Sequence, residues 1–259
     1  MKIVIKSTAE IEKMRIAGRL AAEVLEIIGP QVKAGNTTLE LNNLCHNYIV
    51  KVQKAIPASL NYHGFPKSIC TSVNHVICHG IPDEVPLKNG DIVNIDVTIA
   101  KNGYFADSSK MFIVGQPSAI AEKLIRVAKE CLFLGIEEVR SGTRLGNIGA
   151  VIQRYAERHN FSVVREYCGH GIGKEFHEAP AVLHYGEPNV GPLLQEGMIF
   201  TIEPMINAGT KDIQLLKDGW TVVTKDRQLS AQWEHTVLVT KNGYEILTLG
   251  EGETENGKI

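Results

Sequence analysis

Apolar residues recur at helical spacing in four stretches, near 8–29, 37–53, 117–139 and 144–159, and each pair of stretches is followed by segments with the two-residue period of a strand. Gly35 and Gly142 punctuate the two helix pairs. Thr8 followed by Glu10-Ile11-Glu12 offers an N-cap with an acidic first turn, and Gly29-Pro30 offers a stop. Between Val93 and Ile99, Val93, Ile95, Val97 and Ile99 share one face while Asn94, Asp96 and Thr98 share the other, the mark of a half-buried strand. Lys101-Asn102-Gly103-Tyr104 then supplies a hairpin turn, because Asn-Gly accepts the positive φ of a type I′ turn. A second Lys-Asn-Gly-Tyr at 241–244 ends a strand pattern late in the chain. Helices then strands, twice over, predict an α+β fold with a largely antiparallel sheet and a pseudo-twofold axis.

The two passes are related in detail. Shifting the chain by 107 residues pairs Glu23 with Glu130, Leu25 with Leu132, Gly35 with Gly142, Leu41 with Ile148 and Tyr48 with Tyr155. At the same shift Leu87, Gly90, Ile92, Ile95 and Asp96 meet Leu194, Gly197, Ile199, Ile202 and Glu203, so a carboxylate closes both copies of one apolar pattern. His79-Gly80-Ile81 resembles His170-Gly171-Ile172 at a shift of 91, which leaves the equivalence of those histidines open. At 259 residues the length alone allows one domain or two; the self-match predicts one catalytic domain over 1–259 with halves near 8–115 and 116–248.

Composition narrows the function. Lys+Arg 27 against Asp+Glu 29 gives a net charge of −2, and no basic stripe with interleaved aromatics is present, so nucleic acid is not an expected partner. Cys45, Cys70, Cys78, Cys131 and Cys168 are odd in number and form no C-x-x-C pair, which suits free thiols in a reducing cytoplasm. No apolar run approaches a membrane span, and the start is too short for a signal-peptide core. The polar, Gly-rich stretch from Gly250 to Ile259 is expected to fray.

The carboxylates carry the chemistry. A two-residue loop at Asn102-Gly103 sets Asp107 opposite Thr98, and therefore on the same face as Asp96, as diagonal neighbours. A lone Asp on a strand is ordinarily a solvated surface group; two on one face, with Glu203 at the repeat-related place and Glu234 set into a strand rich in β-formers, are harder to read that way. Four converging carboxylates resist desolvation unless cations compensate, and two divalent ions supply +4. Oxygen donors with one imidazole suit Mn, Fe or Co, with Zn also admissible. His79 and the Gly169-to-Pro180 segment with His170 and His177 supply the imidazoles, the surrounding Gly and Pro implying a loop held close to something. His46, His63, His75, His159, His184 and His235 read as structural or supporting residues.

Val76 to Pro82, Asn94-Ile95-Asp96-Val97 with Asp107, Gly169-His170-Gly171-Ile172-Gly173, Phe200 to Met205 and Gln232 to Thr236 together resemble the motifs of the type I methionine aminopeptidases, over residues 5–248. The resemblance implies the pita-bread fold, two related halves with a curved sheet flanked by helices. It implies that Asp96 chelates one metal, that Asp107 and Glu234 bridge two, and that His170 and Glu203 hold the other. Water activated between the ions would attack the first peptide carbonyl, with Glu203 shuttling its proton, His177 stabilising the oxyanion and His79 at the scissile nitrogen. A methionine pocket would be lined by Tyr62, Phe65, Cys70, Phe176 and Trp220. The implied activity is removal of initiator methionine from nascent chains whose second residue is small, by a cytoplasmic, monomeric enzyme in transient contact with the ribosome. Phe65 stands where the family more often has Tyr, and Ser108 follows Asp107 where Thr is usual.

Three rivals are weighed against this. A prolidase-like X-Pro peptidase shares the ligands but not the aromatic pair and Cys70. A non-catalytic binder on the same fold has no need of five ligands. A Cys78-His79 thiol nucleophile lacks a partner acid.

Overall fold

The computed structural model describes residues 2–251 and 253. Four helices, α1 (Thr8–Ile28), α2 (Thr38–Asn47), α3 (Ala119–Glu137) and α4 (Gly146–Arg158), fall in the four predicted stretches. The cap of α1 is Ser7, not Thr8: the Ser7 backbone N–H donates to the Glu10 carboxylate at 2.9 Å, because Glu10 stands three residues after Ser7, the spacing of a capping box. The second stretch is regular only to Asn47 and widens into a π-helical turn over Tyr48–Val52.

Among the described residues, fifteen strands follow the helix pairs. In the first half these are β1 (Ile56–Pro57), β2 (Cys70–Val73), β3 (Val76–Cys78), β4 (Ile92–Lys101) and β5 (Tyr104–Ile113). In the second they are β6 (Ser162–Val163), β7 (Gly169–Gly171), β8 (Glu178–Val182), β9 (Ile199–Ile202), β10 (Met205–Asn207), β11 (Ile213–Leu215), β12 (Val222–Thr224), β13 (Ser230–Gln232), β14 (His235–Val239) and β15 (Tyr244–Ile246). All pairings between them are antiparallel. β4 pairs β5 through its whole length with Thr98 opposite Asp107, and Asn102 and Gly103 take φ of 53° and 77° in the turn, as predicted.

One expectation about β4 needs correcting. Val93, Ile95, Val97 and Ile99 are fully buried against α1 and α2, but the polar face is also covered, with Asn94 2% and Thr98 1% exposed. The cover is the second half: Ser109 of β5 exchanges both backbone hydrogen bonds with Glu234, and Asn94 donates to the Gln232 carbonyl at 2.8 Å. A strand reading that sees one sheet at a time cannot anticipate a second sheet docking on its edge.

The 107-residue relation reappears as recurring bonds. Tyr48 donates to Glu23 at 2.7 Å, and Tyr155 donates to Glu130 at 2.8 Å. Thr37 bridges Pro86 just as Arg144 bridges Leu193. Each half also has its own core. In one, Val24, Leu25, Ile28, Leu41 and Ile49 lie on β4; in the other, Leu124, Leu132, Ile148 and Ile152 pack with Phe200, Ile202 and Val237. Each such aliphatic side chain contributes roughly 1.5–3 kcal/mol on burial, so the halves are held from behind while their polar faces meet. Of the tail, Gly250 and Glu253 are tied down, Glu253 pairing with Lys110 at 2.6 Å; residues 252 and 254–259, where fraying is expected, lie outside the described residues.

Candidate metal centre and active site

The meeting of the polar faces encloses a cavity of about 280 Å³, and every residue singled out in the sequence lines it: Tyr62, Phe65, Cys70, His79, Asp96, Asp107, His170, Phe176, His177, Glu203, Trp220 and Glu234. Asp96 and Asp107 project from the β4–β5 ladder. Glu203 follows β9, where Pro204 interrupts the strand, and Glu234 precedes β14 in a matching break rather than within a strand. His170 is the middle residue of β7, so the predicted loop is here a short strand. Its flanking glycines have the expected cause: a Cβ on Gly169 or Gly171 would collide with the backbone carbonyl of Thr201 or Ala179.

The polar atoms converge closely. One ligand atom each from Asp107, His170 and Glu234 lies within 4.8 Å of the others. His170 Nε2 stands 3.8 Å from Asp107 Oδ2 and 3.7 Å from Glu203 Oε1. Its Nδ1 is 3.0 Å from the Gly171 carbonyl, so Nδ1 carries the ring proton and Nε2 offers its lone pair to the acids. Asp96 stands beside Asp107 on the same face, where the charge of Asp107 acts on it. Burial drives all four carboxyl groups above their ordinary range, and mutual repulsion adds to it for Asp96, Glu203 and Glu234; Glu203 rises to about 8. Burial lowers His170 to about 4, so its ring is neutral at pH 7.

These groups fit cations on the evidence of their own unmet demands. Glu234 Oε1 is buried with no hydrogen-bond partner among the described residues, a costly arrangement for a carboxylate unless a charge stands against it. Four carboxylates and one available imidazole nitrogen form a hard-to-borderline donor set suited to divalent ions. Neutral supports hold the set in place. Thr98 donates to Asp107 at 2.9 Å, Thr201 to Glu203 at 2.8 Å, and Gln232 to Glu203 at 3.3 Å.

The pocket wall is aromatic. Tyr62 and Phe176 lie with centroids 4.7 Å apart, and Phe65 meets Trp220 edge-on at 5.2 Å. The Tyr62 hydroxyl is 2.8 Å from His177 Nδ1. Cys70 faces Asp96 across β2 and β4, and burial holds its thiol and that of Cys78 well above their ordinary range, which disfavours the thiolate that a nucleophile requires.

Sequence reasoning missed several neighbours. Thr98 had a signal, since it shares the face of Asp96. Met205 and Gln232 stand at the ends of quoted motifs and Tyr167 two residues before another; none was given a role, and all three line the cavity. His184, set aside as a supporting group, accepts the Glu203 backbone N–H on Nε2 at 3.1 Å from a fully buried position; nothing in the local sequence connects it to Glu203. His63 lies edge-on to Tyr62 at 4.4 Å.

Comparison with known proteins agrees with the geometry. The model of metallopeptidase family M24 matches residues 12–241. Methionine aminopeptidases of Salmonella typhimurium and Escherichia coli strain K12 are 62% and 59% identical over 255 residues, 98% of this chain and 97% of each relative. The crystal structure of methionine aminopeptidase from Rickettsia prowazekii superposes with a TM-score of 0.94 at 57% identity, covering 96% of this chain and 100% of that one. Prolidase from Pyrococcus furiosus shares the fold at 23% identity and a TM-score of 0.76, this chain covering 65% of its length. On its fold and its sequence, the chain belongs to the methionine aminopeptidases of metallopeptidase family M24.

Proposed function

We propose that this protein removes the amino-terminal methionine of peptides and nascent chains whose second residue is small, using two divalent ions. The observation that carries this reading is one cavity in which a carboxylate-imidazole cluster adjoins an aromatic wall. Asp96, Asp107, His170, Glu203 and Glu234 would hold the ions, and Co, Mn, Fe and Zn all suit the donors. When bound, the ions supply Lewis acidity toward water and the substrate carbonyl and a docking point for the free α-amino group.

The chain's own residues do the rest. Glu203, its oxygens oriented by Thr201 and Gln232, takes a proton from the attacking water and returns it to the departing amine. The Tyr62 hydroxyl, 2.8 Å from Nδ1, orients the ring of His177, whose other nitrogen, Nε2, is the one that stabilises a developing oxyanion. His79, a neutral ring whose pKa burial lowers, faces the scissile nitrogen. Tyr62, Phe65, Phe176 and Trp220 offer ring edges and faces to a thioether, with Cys70 at the wall.

The halves, near 8–115 and 116–248, act as one catalytic domain, because each contributes two of the four carboxylates. We place the enzyme in the cytoplasm as a monomer that meets its substrates at the ribosome; among the described residues no helix is long and apolar enough to cross a membrane. Incubating metal-loaded protein with Met-Ala-Ser and with Ala-Pro peptides tests the reading. Release of free methionine from the first is expected, and cleavage of only the second sinks it.

A further inference from the structure

Sequence reasoning singled out neither Lys6 nor Glu178, yet they form a buried ion pair 172 residues apart in sequence, with side chains 2% and 10% exposed. The pair joins two segments of consequence. Lys6 belongs to the strap that precedes α1 and is itself fixed, its backbone N–H donating to the Gly197 carbonyl at 2.8 Å. Glu178 ends the segment that carries Phe176 and His177 into the cavity. Its second carboxylate oxygen accepts the backbone N–H groups of Lys174 and Glu175 at 2.9 and 3.2 Å, folding that segment back on itself.

The fit is tight where the two meet and open outside. A Cβ on Gly173 would collide with the Lys6 side chain and with the Glu178 carboxylate. On the outer side runs a groove of about 400 Å³ that touches Lys2, Glu10, Tyr104, Lys174 and His177, so little packs against the segment from there. Beyond the ion pair, the segment is held by the Phe105 N–H on the Gly173 carbonyl at 2.8 Å, by the Lys174–Glu10 ion pair at 3.3 Å on the exposed side, by the pairing of Glu178 with Gly171 across β7 and β8, and by ring contacts of Phe176 with Phe105 and of Phe176 and His177 with Tyr62. Tyr62, Phe176 and His177 themselves line the substrate cavity, and the Lys6–Glu178 pair is the buried charge contact that ties the far end of the segment to the strap before α1.

We infer that Lys6 is a positioning residue for the reaction: by pairing with Glu178 it sets the place of His177 and Phe176 in the cavity, an inference that rests on His177 facing substrate as proposed above. A charge buried without its partner is costly, so removing the ammonium frees the Glu178 end of the segment to seek water and lets His177 drift. A displacement of about 1 Å in a positioned group can cost on the order of 100-fold in rate.

The test compares metal-loaded wild type, Lys6→Met, Lys6→Arg, His177→Ala and the double variant Lys6→Met/His177→Ala on Met-Ala-Ser, together with the imidazole NMR signals of His177. Lys6→Met is expected to lower kcat by about 100-fold with a smaller change in KM, to shift or broaden the His177 resonances, and to be largely rescued by Lys6→Arg. In the His177→Ala background the same change should add less than about 2-fold, because the residue through which Lys6 acts is gone. Equal losses in both backgrounds, or unchanged kcat and resonances in a folded Lys6→Met protein, overturn the inference. Should Lys6→Met fail to fold, Lys6→Met/Glu178→Gln leaves no buried charge, and the same outcomes decide. If wild type itself releases no methionine, the proposed function falls, and the His177 signals alone still decide whether Lys6 places that ring.

Discussion

The two antiparallel strand pairs that face each other across the cavity, β4–β5 and β9–β10 with β13–β14, follow one plan with different regularity. β4 and β5 run unbroken for ten residues each, and their acids, Asp96 and Asp107, sit on an ideal ladder. The opposing pair keeps one register throughout, with Ile202 opposite His235 and Met205 opposite Gln232, yet it is interrupted at Glu203-Pro204 and Trp233-Glu234. That register sets Glu203 across from Glu234 at the break itself. The regular ladder holds its acids by strand geometry, with one hydroxyl, that of Thr98, on Asp107. The broken ladder has surrendered local backbone pairing and places Glu203 through side chains instead, namely Thr201, Gln232 and His184. On the proposed reading, the carboxylate that moves protons, Glu203, is thus oriented by neutral side chains, while Asp96 and Asp107 take their places from the regular ladder.

This contrast predicts unequal losses. Glu203→Gln should lower kcat by about 10⁴-fold, at the upper end for loss of a general base, and excess metal should not restore it. Asp96→Asn should act mainly on ion affinity, so that raising the metal concentration recovers most of the rate. Steady-state kinetics across a metal titration separates the two, and equal, unrescued losses would erase the distinction.

The supports should rank the same way at a lower level. Thr201→Val and Gln232→Leu should each cost about 10–100-fold in metal affinity or activity, as outer-shell changes do. Thr98→Val should cost less, because β4 and β5 keep Asp107 in place without it. A larger loss from Thr98→Val would show that the regular ladder does not position its acids unaided.

A smaller effect concerns pH. Without ions, the carboxyl groups of both ladders have folded pKa values above their ordinary ones, Glu203 reaching about 8 from 4.5. A raised acid pKa means that the folded chain binds protons more tightly than the unfolded one. Its stabilising contribution is therefore complete below about pH 4.5 and is lost as pH rises through about 8. Bound ions replace those protons, so the increase in Tm on adding metal should grow between about pH 5 and 8. At a hundredfold excess over Kd, an ion contributes about 2.7 kcal/mol, or roughly 5–10 °C for a chain of this size. A metal-induced shift that shrinks with rising pH would contradict the charge balance at the centre.

Legibility followed the same division. The alternation from Val93 to Ile99 and the Asn-Gly turn fixed where Asp107 falls, because register propagates along an uninterrupted hairpin. The repeated apolar pattern pointed to Glu203. What stayed hidden depends on contacts between distant segments: the covering of the polar face of β4, the Ser109–Glu234 bridge, His184 beneath Glu203, and Lys6 beneath Glu178. The π-helical widening after Asn47 was hidden too, since apolar spacing does not separate it from α-helix over one turn.

The central claim is that two ladders of unequal regularity jointly hold two ions. Calorimetric titration of metal-stripped protein with Mn²⁺ or Co²⁺ tests it most directly. Two ions per chain are expected for wild type, with one site lost or greatly weakened in Asp96→Asn and the other in Glu203→Gln. A single ion bound with the same affinity by wild type and both variants would contradict the account.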